Sequence, residues 1–176
     1  MLLDLDLTDR RVVAVGGGPV TARRVAAFLE DGARVTVIAP QVCPQVAAHV
    51  AVGAVEHAAR AWDGPADLEG ACLVHTATGV PAVDTAVRRA AAALGIWAID
   101  ATDAAASPVH VPARGVVPVS GGRLSVAVHA GGHPRRAVAA RDLAVAALTR
   151  AAADGRLAPA GSRSLDRHSI TARRSA

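Results

Sequence analysis

Short apolar runs alternate with segments of helical periodicity along the first hundred residues. The run Val12–Val15 leads into glycines at 16, 17 and 18. Ala22, Val25, Ala26 and Leu29 then fall at i, i+3, i+4 and i+7, the spacing of one helix face. Pro19 suits the first turn of that helix, where its missing N–H costs nothing. A second run, Arg34 to Ile38, follows Asp31-Gly32-Ala33 and completes a strand–helix–strand unit of roughly 30 residues. Ala39-Pro40-Gln41 ends that strand. Pro44 to Val52 predicts a short helix, Val55 to Ala58 a third strand, and Ala66 to Gly70 a connecting helix. Cys72 to Thr76 reads as a buried strand. Pro81 opens a helix to about Leu94 that Gly95 caps, and Ile96 to Ile99 is a fifth strand.

The pattern changes after Asp103. Val109 to Val111 and Val116 to Val119 read as short strands, Ser120 to Arg123 as a hairpin turn, and Leu124 to Val128 as the return strand. Gly131-Gly132-His133-Pro134 opens an Arg- and Ala-rich helix to about Ala153. Two or three antiparallel strands and one helix are too little to be stable alone. The second unit is therefore expected to borrow a partner, making the protein a homodimer. From Asp154 onward Gly, Pro, Ser and Arg dominate, and residues 154–176 are expected to be a disordered tail.

Strands alternating with helices predict an α/β fold: a doubly wound parallel sheet of the Rossmann type over residues 1–112. A small α+β dimerisation unit would occupy 113–153. Ligands of such sheets bind at the carboxyl ends of the strands. That edge holds Gly16 to Val20, Ala39 to Gln41, Thr76 to Gly79 and Asp100 to Asp103.

Composition narrows the classes. Only 2% of residues are aromatic, so the core is built of Ala and Val, and stacking platforms for nucleic acid are nearly absent. Nucleic-acid binding is not expected. All 19 basic side chains are Arg, and net charge is +4, with much of the excess in the last third, where it suits an anionic ligand. Cys43 and Cys72 stand alone, which fits a reducing compartment. The acidic start Met1-Leu-Leu-Asp-Leu-Asp-Leu7 is no signal peptide, and no apolar run approaches the roughly 20 residues of a membrane span. The expected location is the cytoplasm. Seven histidines invite a metal reading, but no His-Glu-x-x-His or paired-Cys spacing is present, so no bound metal is expected.

The glycine turn aims backbone N–H groups and a helix N-terminus at a pyrophosphate. Gly16 and Gly18 fill the first two positions of G-x-G-x-x-G, and Thr21 stands at the third. There is no Lys to make it a P-loop. The second strand ends in Ala39-Pro40 without the acid that usually binds a ribose hydroxyl, so these residues leave NAD and NADP both open.

Taken in order, several phrases resemble the precorrin-2 dehydrogenase and sirohydrochlorin ferrochelatase family, the N-terminal region of bacterial siroheme synthases. They are Val15-Gly-Gly-Gly-Pro-Val20, Gly32-Ala-Arg-Val-Thr-Val-Ile-Ala-Pro40, Thr76-Ala-Thr78, Ile96-Trp-Ala-Ile99, Pro112-Ala113 and Val126-Ala-Val-His-Ala-Gly-Gly132. The resemblance covers roughly residues 5 to 150. It implies NAD-dependent oxidation of precorrin-2 to sirohydrochlorin, with NAD against Gly16, Gly17, Gly18, Pro19, Val20, Pro40 and Gln41. Ala39, Thr76 and Thr78 join that set by their place on the edge. The resemblance also implies a dimeric assembly, and a chelatase activity that would take ferrous or cobaltous ion as substrate. The family's Asp precedes the Pro matched by Pro112. Counted without gaps its slot holds Thr102, so Asp103 beside it is the candidate base and Asp100 the reserve. The family's Gly-Gly-x-Ser-Pro is Gly131-Gly-His-Pro134 here, one residue short.

Dehydrogenating a tetrapyrrole polycarboxylate takes a hydride acceptor, a base and cationic contacts for the carboxylates. A carboxylate at the sheet edge suits the base. Arg114, Arg123, Arg135 and Arg136 suit the substrate, because guanidinium forks match carboxylates; His129, Gly131 and Gly132 flank them. Two alternatives stand beside this reading. One is a non-catalytic NAD-sensing Rossmann module, the other a Rossmann oxidoreductase of a different anionic substrate.

Overall fold

The computed structural model describes residues 2–158. Its first unit, residues 1–111, carries five parallel strands in the order β3-β2-β1-β4-β5. They are β1 (Arg11–Val15), β2 (Arg34–Ile38), β3 (Val55–Ala58), β4 (Leu73–Thr76) and β5 (Trp97–Asp100). Helices α1 (Pro19–Glu30), α2 (Pro44–Ala51) and α3 (Pro81–Ala93) fill the crossovers. A 3-10 turn, Pro65–Leu68, stands where the connecting helix is expected. Each α-helix starts on a proline at its first position, where no intrahelical bond is lost.

Two apolar layers bury the two faces of the sheet. Val12, Ala14, Val35 and Val37 meet Val25 and Phe28 of α1 and Val46 of α2. Val13, Val15 and Val74 meet Val87, Ala90 and Ala91 of α3 and Leu68 of the 3-10 turn. Strands covered on both sides read as continuous apolar runs, which is why β1 and β2 stand out in the sequence.

The register sets the working edge. Val15 pairs with Ile38 and with Thr76, Thr76 with Asp100, and Ile38 with Ala58. The last residues of all five strands therefore form one row, and their loops leave from a common edge.

The second unit begins at Pro112. Its hairpin joins β6 (Ala113–Val119) to β7 (Gly122–Val128) through a two-residue turn, Ser120-Gly121, with Gly121 at φ 82°. Helix α4 (Pro134–Ala153) crosses β6 so closely that a Cβ on Gly115 would lie 2.5 Å from Cγ2 of Val145. Val117 and Ala137 are its buried apolar side chains.

One expected strand does not form. Residues 109–111 are irregular: Pro108 and Pro112 bracket them, and Ser107 Oγ takes the Val109 carbonyl at 2.7 Å. Of the expected tail, residues 154–158 form a turn after α4, and 159–176 lie outside the described residues. No described helix is long and apolar enough to cross a membrane.

Candidate functional site: the carboxyl edge of the sheet

The glycine turn at the end of β1 has the geometry of a phosphate cradle. Gly16 has φ 113°, and a Cβ there would lie 2.4 Å from the Ala77 carbonyl oxygen. A Cβ on Gly17 would lie 2.0 Å from the Gln41 carbonyl oxygen. Both glycines let the β2 and β4 loops close against the turn, and Cys43 N–H donates to the Gly17 carbonyl at 2.8 Å. Gly18 differs: nothing lies within 4 Å of its Cβ position. It is the N-cap of α1, with no side-chain cap and no acid in the first turn. The first-turn N–H groups of a helix have no intrahelical partner. An uncapped N-terminus behind an open glycine fits an anion.

Around the turn, Pro19 and Val20 are exposed, as are Pro40 and Gln41 at the end of β2. Ala39 is buried, and its carbonyl takes His57 Nε2 at 2.9 Å. Thr21, at the third fingerprint position, is fully buried against the sheet, and its hydroxyl has no hydrogen-bond partner.

The β4 and β5 ends are joined by a carboxylate that the sequence pattern does not single out. Asp84, in the first turn of α3, is 1% exposed. Its Oδ1 accepts Thr76 Oγ1 at 2.5 Å, Thr78 N–H at 3.0 Å and Thr78 Oγ1 at 2.9 Å. Its Oδ2 lies 3.2 Å from Thr102 Oγ1, the hydroxyl whose proton the nearer Asp100 takes. The hydroxyls of Thr76 and Thr78 thus point inward to Asp84. Thr76 is fully buried, whereas Thr78 is half-buried beside exposed Gly79.

Asp100 ends β5 and is 3% exposed. Its Oδ1 accepts Thr102 Oγ1 at 2.7 Å, Thr102 N–H at 2.9 Å and Asp103 N–H at 3.0 Å, while Arg88 Nε lies 3.4 Å from Oδ2. Burial alone would raise this carboxyl; the Thr102, Asp103 and Arg88 bonds outweigh it and hold it below the usual carboxylate range. Asp103 is exposed, and its Oδ1 accepts Ala105 and Ala106 N–H at 3.1 and 3.0 Å. Asp100 shapes the corner, and Asp103 stands at its surface.

His75 lies one residue inside the edge, fully buried, with neither ring nitrogen in a hydrogen bond and its ring edge-on to Phe28 at 6.5 Å. Burial, reinforced by Arg24, pushes it down to about 4, so the imidazole is neutral.

In the second unit, Arg114 and Arg123 are exposed on β6 and β7, paired across the hairpin with Ala127 and Pro118. Four residues of strand separate those pairings, roughly 13 Å. The hairpin therefore spreads these two arginines rather than converging them. Arg135 and Arg136 are exposed in the first turn of α4. Gly131 and Gly132, both at positive φ, form the turn before it, where Gly131 N–H lies 3.4 Å from His129 Nδ1. Among the described residues no group of three or more His, Cys, Asp or Glu is arranged to hold a metal ion.

Residues 3–113 match the family model described as "Putative NAD(P)-binding". A siroheme synthase of Methylobacillus flagellatus is 40% identical over 92 residues, which is 52% of this chain and 20% of that protein. A precorrin-2 dehydrogenase of Priestia megaterium is 36% identical over 85 residues, 48% of this chain and 42% of that protein. A solved structure titled SirC, precorrin-2 dehydrogenase, superposes with a TM-score of 0.69 at 27% identity, covering 85% of this chain and 74% of that one. The chain spans only a fifth to two fifths of the length of these two curated relatives. The match to residues 3–113 covers the cradle and the whole parallel sheet. The chain belongs to this NAD(P)-binding family and is a homologue of siroheme synthases and precorrin-2 dehydrogenases.

Proposed function

We propose that the protein is an NAD-dependent dehydrogenase that oxidises precorrin-2 to sirohydrochlorin. The observation that carries this reading is the shared edge: an open glycine cradle at 16–18 and an acidic corner at 100–103 leave the same row of strand ends. One curated relative and the structural neighbour bear the name of that reaction.

NAD, when bound, supplies the hydride acceptor. Gly16, Gly17 and Gly18 would hold its pyrophosphate with the α1 N-terminus, and Val20, Pro40 and Gln41 would flank it. Thr76 acts from behind through Asp84, and Thr78 lines the lip. Asp103 is the proposed base for the proton that leaves with the hydride, because it stands exposed with one oxygen outside its turn. Asp100 holds the loop in shape. Arg114, Arg123, Arg135 and Arg136 are the proposed cations for the substrate's carboxylates. Exposed Val116, Val138 and Leu143 support a homodimer formed through the second unit.

The test is anaerobic incubation with precorrin-2 and NAD, following NADH and sirohydrochlorin absorbance. Both should rise together. If NAD binds and neither product forms, the precorrin-2 reading fails, and a dinucleotide sensor or an oxidoreductase of another anionic substrate takes its place. Asp103→Asn should lose most turnover with its fold intact. If it turns over normally while folded Asp100→Asn is inactive, the base is Asp100. Adding ferrous or cobaltous ion to sirohydrochlorin tests the chelatase, and sedimentation tests the dimer.

A further inference from the structure

One row of α1 carries polar groups toward β4 that find no partner inside the protein. Thr21, Arg24 and Phe28 follow at i, i+3 and i+7, so they line one side of the helix. Phe28 meets the His75 ring edge-on at 6.5 Å, and His75 is one residue from the end of β4, which sets this row beside β4 at the working edge. Thr21 Oγ1 and both His75 nitrogens are sealed from solvent without a hydrogen bond. Arg24 is half-buried and makes no hydrogen bond or ion pair among the described residues, while its neighbour Arg23 is exposed. Unlike the sealed atoms, the Arg24 guanidinium keeps contact with solvent, so a ligand can reach it.

No surrounding charge compensates Arg24. Burial, then Arg23, both act against its ionisation. Asp84 and Asp100 act on His75, more weakly than Arg24 does, but Asp84 is held by threonines and Asp100 by Thr102 and Arg88. The α1 N-terminus adds positive potential at the same end. A guanidinium only donates, so what this half-buried cation lacks is an anionic acceptor. We propose that Arg24 binds substrate, holding one carboxylate arm of the tetrapyrrole at the β4 end of the sheet. This rests on the precorrin-2 reading above. The cofactor's pyrophosphate belongs over the glycine turn and the end of α1, and its adenosine ribose over β2. Arg24 leaves the second turn of α1 on the opposite side, toward β4. A polycarboxylate calls for several cations, and Arg24 is the one the first unit contributes.

An unpaired, half-buried cation opposes folding, so a binding role and a structural role predict opposite effects on stability. The test titrates the full chain and its Arg24→Met, Arg24→Gln and Arg24→Lys variants with sirohydrochlorin, followed by absorbance, and with NAD, followed by calorimetry. Melting temperatures are measured without ligand. Arg24→Met and Arg24→Gln should melt no lower than wild type, keep NAD affinity within about twofold, and weaken sirohydrochlorin by roughly tenfold or more, the loss of one charge-assisted contact. Arg24→Lys keeps the charge without the fork and should fall between. Unchanged sirohydrochlorin affinity overturns the inference, leaves the precorrin-2 reading intact, and makes water the partner of this row. Equal weakening of both ligands, or failure of the Met and Gln variants to fold, makes Arg24 structural and overturns it too. A larger loss for NAD than for sirohydrochlorin assigns Arg24 to the cofactor's phosphates and overturns it. If sirohydrochlorin does not bind the wild type, the precorrin-2 reading fails and takes the inference with it.

Discussion

Thr102 Oγ1 sits between two carboxylates, 2.7 Å from Asp100 Oδ1 and 3.2 Å from Asp84 Oδ2, and it joins the β5 corner to the first turn of α3. Without this hydroxyl, Asp84 Oδ2 keeps no described polar contact, and two buried carboxylates face each other across a gap.

Thr102→Val should therefore destabilise the first unit by about 1–3 kcal/mol, the usual cost of orphaning a buried polar group. Thr102→Ser keeps the hydroxyl and should stay within about 0.5 kcal/mol of wild type. Urea unfolding of the three proteins measures this. Equal stability of the Val variant and wild type would show that the bridge contributes nothing.

Gly17 and Gly18 separate folding from binding. A methyl on Gly17 would meet the Gln41 carbonyl oxygen at 2.0 Å, and neither backbone can yield cheaply. Gly17→Ala should cost about 1–3 kcal/mol or more in stability. Gly18 has φ −83° and open space at its Cβ position, so Gly18→Ala should fold with a loss of about 1 kcal/mol or less. If the phosphates pass over Gly18, that methyl will weaken NAD binding at least tenfold. Thermal unfolding with and without NAD reads both effects. Undiminished binding by Gly18→Ala would move the cradle elsewhere.

Gly115 is a packing position rather than a turn. Its Cβ site is occupied by Val145 Cγ2 at 2.5 Å and Arg141 Cδ at 2.9 Å. Gly115→Val should push α4 off β6 and cost about 1–3 kcal/mol. Gly122→Val has nothing within 4 Å to meet and is the control. Chemical denaturation followed by far-ultraviolet circular dichroism compares them.

These positions also show where sequence pattern stops. The bounds of β2 are legible to the residue, because its apolar run is ended by Ala-Pro, and those of edge strand β3 because turns bracket it. The turn is legible because only glycine fits at Gly16 against Ala77 and at Gly17 against Gln41. Asp84 is invisible, since an acid in a helix's first turn is ordinary and its four partners come from other segments. Val109–Val111 misleads in the other direction. Its apolar alternation suits a strand, but flanking prolines deny it a ladder, and Val109 packs on the first core layer instead. Periodicity reports burial, and it reports pairing only when backbone donors are present.

His75 supplies the acid limit of the fold. It is fully buried with no hydrogen-bond partner, and burial, then Arg24, holds it at about 4 against an ordinary value of 6.5. The unfolded chain therefore binds this proton more tightly than the native state. Stability from a neutral His75 is fully present above pH 6.5, falls as pH drops toward 4, and changes no further below that. The integrated loss is about 3 kcal/mol. Asp100, held below the usual range, loses its own contribution only at lower pH, so the two windows are separable. Melting temperatures measured from pH 7.5 to 4 should decline for wild type and stay nearly flat for His75→Leu through that window. A parallel decline in both proteins would assign the acid sensitivity to other groups, and leave His75 as a core side chain whose ring is simply tolerated.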